Sequence, residues 1–386
     1  MGLPRYTLFP RLTRDRKGTS LMMNKICSFV VYLFLFSCLP LSAQDSLTIL
    51  FAGDAMMHQT QLDNTRKGDS FDLSGYFSNI EKEVKAADIA VVNFEVPLGG
   101  KPYSGYPAFS APEDFALALQ KAGFDFFLLA NNHCLDRRTR GLVRTIRMLD
   151  SLEIRHTGTF LDLDHRHCTY PMLLRKKDFR IIMLNYTYDT NGLTVDTPRI
   201  VNYIDKQVME ADIAEAKLFN PDFIIANMHW GLEYEQMPSR EQCRLADWLL
   251  GQGVDLVIGC HPHVVQPMEL RKGEDGVPDR LVVYSLGNFI SNMSREHTNG
   301  GAMVKVVLCR KGLRRYIASA QYSLVYSSRY VNKRGKEDIR VVPAASWSEK
   351  NQNGSFSVDS ALIKYVKNTR LLLNGNNKAV DEYVFD

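Results

Sequence analysis

Residues 255–266 read DLVIGCHPHVVQ. An aliphatic run long enough for a buried strand ends there, and His261 and His263 follow it with the rigid Pro262 between them. Imidazole is a common ligand of borderline divalent ions, so two imidazoles at a strand end indicate a metal site. The alternative is a turn that merely contains histidines, and the rest of the chain decides between these two interpretations.

The segments that precede this stretch alternate between strands and amphipathic helices. Apolar runs of strand length are found at 47–54, 89–95 and 124–133. Apolar residues recur at helical spacing, with charged residues between them, at 76–88, 111–123 and 138–153. Strand–helix–strand alternation predicts parallel strands and an α/β fold.

The second half of the chain continues this pattern and then changes to β structure. We predict, in order, a hairpin at 168–188, a helix at 206–218, a strand at 221–231, a helix at 239–253 and a strand at 279–289. A β pattern then runs to about residue 345, and one more helix follows it. No linker composition interrupts the chain, so we expect one domain over 44–345 with a helical extension at 346–386.

The leader has the three-part build of a secretory signal. Lys25 precedes an apolar core at 26–39, which is too short to span a bilayer comfortably and is followed by small residues. We therefore expect residues 1–43 to be a signal peptide that is cleaved after Ala43. This predicts an exported protein that is periplasmic or associated with the cell envelope.

The leader also leaves two alternatives open. The segment before the apolar core is unusually long, so Met22 or Met23 is an alternative start of translation. The stretch LFSC ends at Cys38 and resembles the lipidation signal of a lipoprotein, although Phe36 fits that pattern poorly. Plain export is the interpretation that the stretch favours.

The charge of the chain gives no sign of a nucleic-acid partner. The formal net charge is +4, but residues 1–43 carry six basic side chains against one acidic side chain. The remainder is therefore close to neutral and lacks the basic excess that attracts a phosphate backbone. We expect no nucleic-acid partner.

Each predicted strand ends in side chains that can bind a metal. These residues are Asp54; Asn93 and Glu95; Asn131, Asn132, His133 and Asp136; His229; and His261 and His263. The carboxyl ends of parallel strands meet at one edge of the sheet, so we expect these side chains to converge there. Carboxylate, carboxamide and imidazole groups suit one or two divalent ions such as Zn, Mn or Fe. Such an ion lowers the pKa of bound water, and a free histidine beside it is able to protonate a leaving group.

The cysteines give no disulfide framework. Five follow the leader: Cys134, Cys168, Cys243, Cys260 and Cys309. An odd number leaves at least one unpaired in an exported protein, and we interpret them as mostly small core residues, although a disulfide between two of them stays open. Cys134 and Cys260 are neighbours of candidate ligands, and in extended segments they point to the opposite faces.

The remaining histidines lack comparable neighbours. His165 and His167 lie in a stretch, DLDHRHC, that we predict to be a charged loop. His156 and His297 have no candidate ligands beside them. We interpret all four as solvent-facing or structural histidines.

Six motifs in order resemble the CapA family of bacterial capsule-synthesis proteins, which is associated with poly-γ-glutamate capsule production. They are FAGDAMM (51–57), VVNFEVPLGG (91–100), FLLANNHCLDR (127–137), MHWGLEYEQMPS (228–239), VDLVIGCHPHVVQ (254–266) and VVYSLGNFI (282–290). The resemblance runs from about residue 48 to about residue 307. That family is similar to calcineurin-like metallophosphoesterases, which implies a four-layer αββα sandwich.

The resemblance also implies roles for individual residues. The implied metal ligands are Asp54, Asn93 or Glu95 in place of a bridging carboxylate, Asn132, His229 and His261 for one ion, and His263 for the other. His133 matches the histidine that acts as general acid, and Asp136 would orient it through a hydrogen bond.

The sequence departs from the phosphoesterase pattern at one ligand. A histidine is expected two residues after Asp54, but Met56 stands there. A thioether is a poor ligand for a hard ion, so the second ion is expected to be weak or absent. The nearby His58 is either a substitute ligand or a solvent-facing residue, and the substrate-binding arginine of the family is missing at this point.

The resemblance and the predicted site favour a metal-dependent hydrolase of capsule biosynthesis. The bond cleaved would be a phosphoester or an amide of an anionic cell-envelope polymer or its precursor. The alternative is a non-catalytic assembly factor that binds the polymer or a membrane-bound capsule synthase. The nearly neutral chain mildly disfavours a role that consists only of binding a polyanion.

Overall fold

The computed structural model describes residues 45–312, 314–332, 335–346 and 360–385, and the predicted leader with its alternatives at Met22, Met23 and Cys38 lies outside them. The strands are β1 (Asp45–Ala55), β2 (Arg66–Lys67), β3 (Ser70–Phe71), β4 (Ile89–Phe94), β5 (Phe126–Leu128), β6 (Arg155–Thr157), β7 (Thr159–Phe160), β8 (Met172–Lys176), β9 (Phe179–Thr187), β10 (Ile200–Val201), β11 (Phe223–His229), β12 (Leu256–Cys260), β13 (Met268–Lys272), β14 (Pro278–Val283), β15 (Asn288–Ile290), β16 (Gly300–Lys311), β17 (Arg314–Val331), β18 (Glu337–Pro343) and β19 (Asp381–Glu382). The helices are α1 (Gln59–Thr65), α2 (Glu81–Ala86), α3 (Glu113–Ala122), α4 (Arg138–Ser151), α5 (Leu163–Thr169), α6 (Lys206–Leu218), α7 (Arg240–Gly251) and α8 (Ser360–Asn376).

Two large mixed sheets form the centre of the fold. The first has the strand order β18-β17-β16-β1-β4-β5-β6, with β15 beside β1 and β19 beside β17. The second has the order β13-β14-β12-β11-β9-β8. The alternating segments do pair in parallel, as predicted, from β1 through β4 and β5 to β6 and from β9 through β11 and β12 to β14. The remaining main strands pair antiparallel: β16, β17 and β18 beside β1 in the first sheet, and β13 and β8 at the two edges of the second.

Alternate residues of β1 show how the layers are arranged. Ile49 and Phe51 lie in the core between the two sheets. Leu50 and Ala52 point the other way, into a core that the first sheet shares with helices α1 to α4. Successive side chains of a strand point to opposite faces, so both faces of this sheet are covered and its strands are apolar throughout.

The second sheet is covered in the same way. Ile225 of β11 belongs to the core between the sheets, whereas Ile224 packs with residues of α6 and α7 such as Ile213 and Leu249. The order of layers is therefore helices, sheet, sheet, helices. The predicted four-layer αββα sandwich is confirmed.

The third predicted strand is much shorter than 124–133. Only Phe126–Leu128 pairs as a strand, and side chains then take over the backbone hydrogen bonds. Ala130 N–H donates to Asn185 Oδ1 over 2.8 Å, and the Asn131 side-chain amide donates to Phe94 O over 3.0 Å. These contacts let the chain leave the sheet and turn toward the neighbouring strand ends.

The predicted strand at 279–289 is two strands in different sheets. Residues Pro278–Val283 pair with β12 in the second sheet, whereas Asn288–Ile290 pair with β1 in the first. Gly287 makes the crossing with a φ of 67°, and its N–H donates to the Ser285 hydroxyl over 3.1 Å. A glycine suits this turn because L-residues rarely adopt positive φ.

Two smaller predictions were wrong, one in extent and one in type. The helix expected at 76–88 is reduced to Glu81–Ala86. Tyr76, Phe77 and Ile80 are buried, but they lie in turns that precede the helix. The charged loop that holds His165 and His167 is helix α5. Its start is capped by Asp162, whose carboxylate accepts a hydrogen bond from His165 N–H over 2.8 Å.

The C-terminal helix α8 packs on the main domain. Leu362, Val366 and Leu373 of this helix lie in the core between the sheets. The Tyr365 hydroxyl donates to Gly301 O over 2.9 Å. Residues of the expected helical extension therefore contribute to the same core as the sandwich.

Among the described residues, no helix combines the length and apolar character needed to cross a bilayer. Within the same residues, no disulfide joins any of the five cysteines that follow the leader.

Candidate metal centre

Strand ends from both sheets meet at one buried cluster of polar side chains. Asp54 belongs to β1 and Glu95 follows β4 in the first sheet, while His229 ends β11 and His261 follows β12 in the second. Ligand atoms of two triplets each lie within 4.8 Å of one another: Asp54, Glu95 and His229, and Glu95, His261 and His263. The sequence therefore predicted correctly that these positions converge.

Asp54 is fully buried and held by three neighbours. Its Oδ1 accepts a hydrogen bond from the Asn93 amide over 2.7 Å, and its Oδ2 accepts one from His261 N–H over 3.3 Å. The same Oδ2 lies 3.2 Å from His263 Nδ1. Burial opposes ionisation of this carboxyl group, but the His263 imidazole and the Asn93 amide outweigh it and lower the pKa of Asp54.

Glu95 is the residue that both triplets share. Its Oε1 lies 3.5 Å from His229 Nε2 and 3.9 Å from His263 Nε2. Both carboxylate oxygens are buried, and no donor among the described residues forms a hydrogen bond with either of them. Burial, and then the nearby Asp54 carboxylate, raise the pKa of Glu95 well above its usual value.

The buried carboxylates of Asp54 and Glu95 show whether a cation fits this site. Buried polar groups are normally hydrogen-bonded, and an unpaired buried charge is costly. A divalent ion beside Asp54 and Glu95 would neutralise the pair and satisfy the Glu95 oxygens. The residues present therefore fit a divalent metal.

The two histidines of the opening stretch have unusual backbones. His261 and His263 have φ values of 98° and 60°. L-residues rarely adopt positive φ, and such conformations persist at functional sites where the surroundings hold them. His261 Nδ1 is buried without a hydrogen-bond partner among the described residues. Burial, and then His263, lower the pKa of His261 to about 3, which keeps the imidazole neutral as a metal ligand requires.

His229 is held from both sides by asparagines. Its Nε2 lies 2.9 Å from Asn132 Oδ1, and its Nδ1 lies 3.2 Å from the Asn93 amide nitrogen. Burial, and then the charges of His261 and His263, lower the pKa of His229 well below its usual value. Asn93 thus contacts Asp54 and His229 through its amide nitrogen, which donates hydrogen bonds and cannot bind a metal ion. Its position is therefore suited to orienting these two side chains. Of the two candidates for the bridging position, the geometry favours Glu95.

His133 and Asp136 form a pair at the side of this cluster. His133 Nδ1 lies 2.8 Å from Asp136 Oδ2, which also accepts a hydrogen bond from Phe109 N–H over 2.9 Å. The Phe109 ring packs edge-on against the imidazole at 4.8 Å. The carboxylate favours the tautomer with a proton on Nδ1 and leaves Nε2 for proton transfer. This is the arrangement of an oriented acid–base histidine.

Met56 and His58 lie outside the ligand set. The Met56 side chain is buried in the apolar core between the first sheet and its helices. His58 precedes helix α1, and its Nδ1 accepts a hydrogen bond from Asn292 N–H over 3.1 Å. Burial lowers the pKa of His58 to about 4. His58 is half-buried, its ring connects two loops, and neither triplet of ligand atoms contains it.

Sequence patterns did not predict the contacts that Asn288 and Cys260 make in this cluster. Asn288 Oδ1 lies 3.0 Å from His263 Nδ1, and its amide donates to Thr298 O over 2.9 Å. The Cys260 thiol is buried against the Asp54 carboxylate, and burial followed by that charge raises the pKa of Cys260 well above its usual value. The position of Cys260 at a strand end, beside the predicted ligand His261, was the signal in the sequence for its contact with Asp54. Asn288 carried no such signal, because its strand crosses between sheets.

The remaining histidines lie elsewhere. His156 Nε2 is 3.1 Å from Asp150 Oδ1, and His165 Nδ1 accepts a hydrogen bond from Leu161 N–H over 3.1 Å. His167 is exposed on α5. None of these three histidines belongs to either triplet of ligand atoms, and His297 does not belong to one either.

The arrangement defines a class of protein: an αββα sandwich with potential metal ligands at its strand ends. A sequence profile described as "Bacterial capsule synthesis protein PGA_cap" matches residues 48–293. That span is more than half of the chain. The protein therefore belongs to this family, and the resemblance to CapA proteins is confirmed.

Two relatives from Bacillus illustrate the similarity. The capsule biosynthesis protein CapA of Bacillus anthracis is 28% identical over 283 residues, which are 69% of this chain and 65% of that protein, just under two thirds of its length. The PGA biosynthesis protein CapA of Bacillus subtilis strain 168 is 27% identical over 286 residues, which are 71% of each chain.

Solved structures of similar fold have low sequence identity. The NAD nucleotidase of Haemophilus influenzae has 14% identity and a TM-score of 0.44 over 89% of this chain and 58% of that one. A phosphatase from Mycoplasma pneumoniae has 14% identity and a TM-score of 0.41 over 73% of this chain and 94% of that one. This chain thus spans little more than half of the nucleotidase.

Proposed function

We propose that this protein is an exported metal-dependent hydrolase that acts in capsule or poly-γ-glutamate synthesis. The single observation that supports it most is the position of Glu95. A fully buried carboxylate with two unpartnered oxygens lies among Asp54 and three imidazoles, which is a donor set suited to a borderline divalent ion such as Zn, Mn or Fe.

In this proposal, the residues of the site bind the metal, donate a proton or orient other side chains. A bound ion would activate a water and polarise the scissile group. The residues that would hold it are Asp54, Glu95, Asn132, His229, His261 and His263. His133 donates a proton from Nε2 to the leaving group, while Asp136 fixes the ring and the tautomer from the other side. Asn93 orients Asp54 and His229.

The relatives suggest the kind of substrate. Their names refer to capsule biosynthesis, to PGA biosynthesis and, for a Mycobacterium tuberculosis protein, to probable polyglutamine synthesis. We therefore propose a phosphoester or amide bond of an anionic cell-envelope polymer or its precursor as the bond cleaved. The signal-like pattern of residues 1–43 supports export to the periplasm or cell envelope, with a lipoprotein anchored at Cys38 as the alternative.

A non-catalytic assembly factor is the second candidate function. Large apolar side chains are exposed close to the centre: Tyr106 is 72% exposed and its ring lies 6.4 Å from that of His133. Leu232 and Met237, in the loop after β11, are 62% and 50% exposed. Exposed apolar side chains of this kind often mark contacts with other proteins, and a membrane-bound capsule synthase is the proposed partner.

A substrate screen on the metal-loaded protein separates the two candidates. We expect turnover of a phosphoester or a γ-glutamyl amide, and we expect His133→Ala to reduce it by about 10²- to 10⁴-fold with unchanged metal content. The exposed His167→Ala is the matched control and should retain full activity. Bound metal without turnover of any substrate would favour the assembly factor.

A further inference from the structure

Arg295 carries an exposed guanidinium close to the metal centre. Its Cζ lies 4.0 Å from the centroid of the Tyr234 ring. Among the described residues, no carboxylate lies within ion-pair distance of it. The Tyr234 ring in turn lies 6.2 Å from the His263 ring. Arg295 is therefore at most about 10 Å from His263, the sum of these 4.0 Å and 6.2 Å separations.

The backbone of Tyr234 is tied to the ligand pair. Tyr234 N–H donates to Pro262 O over 2.8 Å, and Pro262 is the residue between His261 and His263. Tyr234 has a φ of 70°, which a residue with a bulky side chain adopts only when its surroundings hold it there. The tyrosine is therefore a fixed support and not a loosely placed loop residue.

The backbone of Arg295 is tied to the same ligand from the other side. Arg295 O accepts hydrogen bonds from Thr298 N–H over 3.2 Å and from the Thr298 hydroxyl over 2.7 Å. Thr298 O accepts the Asn288 amide over 2.9 Å, and Asn288 Oδ1 lies 3.0 Å from His263 Nδ1. Two independent series of contacts thus lead from His263 to the Arg295–Tyr234 pair.

We propose that Arg295 is the anchor for a second anionic group of the substrate, a carboxylate or a phosphate. Stacking on a tyrosine ring occupies one face of a guanidinium and leaves its N–H donors free to form a paired contact with an oxyanion. The substrate would place one group at the metal centre and the next acidic group on Arg295. This inference rests on the proposed function and adds selection of substrates with two anionic groups.

Arg295 lies outside the part of the chain that the family profile matches. It lies two residues beyond the family match, which ends at residue 293. The position after the first motif, where the family resemblance implies a substrate-binding arginine, holds His58 and Gln59. Arg295 supplies a cation at the centre from a different loop.

Equilibrium binding to the metal-loaded protein tests the anchor without requiring turnover. The probes are inorganic phosphate, γ-glutamylglutamate and propane-1,3-diol bisphosphate, measured by titration calorimetry. Wild-type protein should bind at least one of the two probes with more than one anionic group, the dipeptide or the bisphosphate, more tightly than phosphate. Arg295→Gln should weaken that probe by about tenfold or more, leave phosphate affinity and metal content within about twofold, and Arg295→Lys should recover part of the loss.

The matched control is Arg244→Gln, which removes an exposed arginine from α7 and should change nothing. The probe that loses affinity distinguishes a carboxylate from a phosphate ligand. The proposal would be overturned if Arg295→Gln and wild type bound the dipeptide and the bisphosphate with equal affinity. It would also be overturned if the variant lost its metal, or if wild-type protein bound neither of these probes more tightly than phosphate. Anchored binding without hydrolysis of any substrate would instead refute the hydrolase and leave the anchor standing.

Discussion

His229 Nε2 lies 2.9 Å from Asn132 Oδ1, although the two residues are 97 positions apart. His229 ends β11 in the second sheet, whereas Asn132 follows β5 in the first. Neither sheet alone holds the complete set of candidate ligands. The centre therefore forms only when the two sheets pack, which links metal binding to folding of the sandwich.

Stability should depend on the concentration of metal. A ligand that binds only the folded state stabilises it by about 2.7 kcal/mol at a hundred times its dissociation constant. We expect the Tm in calorimetry to fall with a chelator and to rise again as Zn or Mn is added back. The double variant His261→Ala/His263→Ala should show no such rise, and a metal-dependent Tm in that variant would place the stabilising ion elsewhere.

Glu95→Gln should separate metal affinity from the stability of the metal-free protein. The substitution removes a buried negative charge next to Asp54, so metal affinity should fall by at least about tenfold. Without metal, the free energy of unfolding should be equal to that of wild type or about 1–3 kcal/mol higher, because the glutamine is neutral without taking up a proton, whereas the buried carboxyl group of Glu95 is costly to ionise beside Asp54. Chemical denaturation in chelator checks this. A less stable metal-free variant would show that Glu95 is already well satisfied.

Asp136→Asn should reduce turnover and leave metal content unchanged. The asparagine presents an amide donor to His133 Nδ1 and thereby favours the wrong tautomer, so kcat should fall by roughly 10²-fold or more while KM changes little. The pH profile of kcat should move with it, which a purely structural role of Asp136 would not cause. An unchanged kcat would mean that His133 is not the proton donor.

Gly259→Ala should destabilise the protein strongly. A Cβ at Gly259 would lie 2.0 Å from Tyr284 O, where strands of the second sheet approach closely. We expect a loss of about 2–4 kcal/mol in the free energy of unfolding, measured by denaturant titration. The matched control is Gly251→Ala at the end of α7, where a Cβ meets no atom within 4 Å and should stabilise by about 0.5 kcal/mol. Similar effects of the two substitutions would contradict the close approach.

Much of the site was predictable because of one rule about parallel sheets. Asp54, Glu95 and His229 each follow or end an apolar run, and the carboxyl ends of parallel strands share an edge. The spacing of strands and helices was enough to place these residues together. The sequence did not decide between Asn93 and Glu95, since that choice depends on which side chain turns toward the second sheet.

Features that depend on distant pairing were not predictable. The strand at 279–289 divides between two sheets, and its second part brings Asn288 to His263. The local pattern gives no sign of this crossing, because both parts are equally apolar. The early end of β5 likewise depends on Asn185, which replaces a strand partner of Ala130 from 55 positions away. The periodicity of apolar residues indicates local secondary structure, but it does not identify hydrogen-bond partners that are distant in the sequence.

The most direct measurement is elemental analysis of the purified protein after reconstitution with Zn, Mn or Fe. We expect at least one tightly bound divalent ion per chain in the wild-type protein and in His133→Ala. We also expect the ion to be lost when Asp54 or His261 is replaced by alanine in a variant that still folds. A wild-type protein that retains no divalent ion, or ligand variants that bind as much metal as wild type, would contradict a metal centre at these residues.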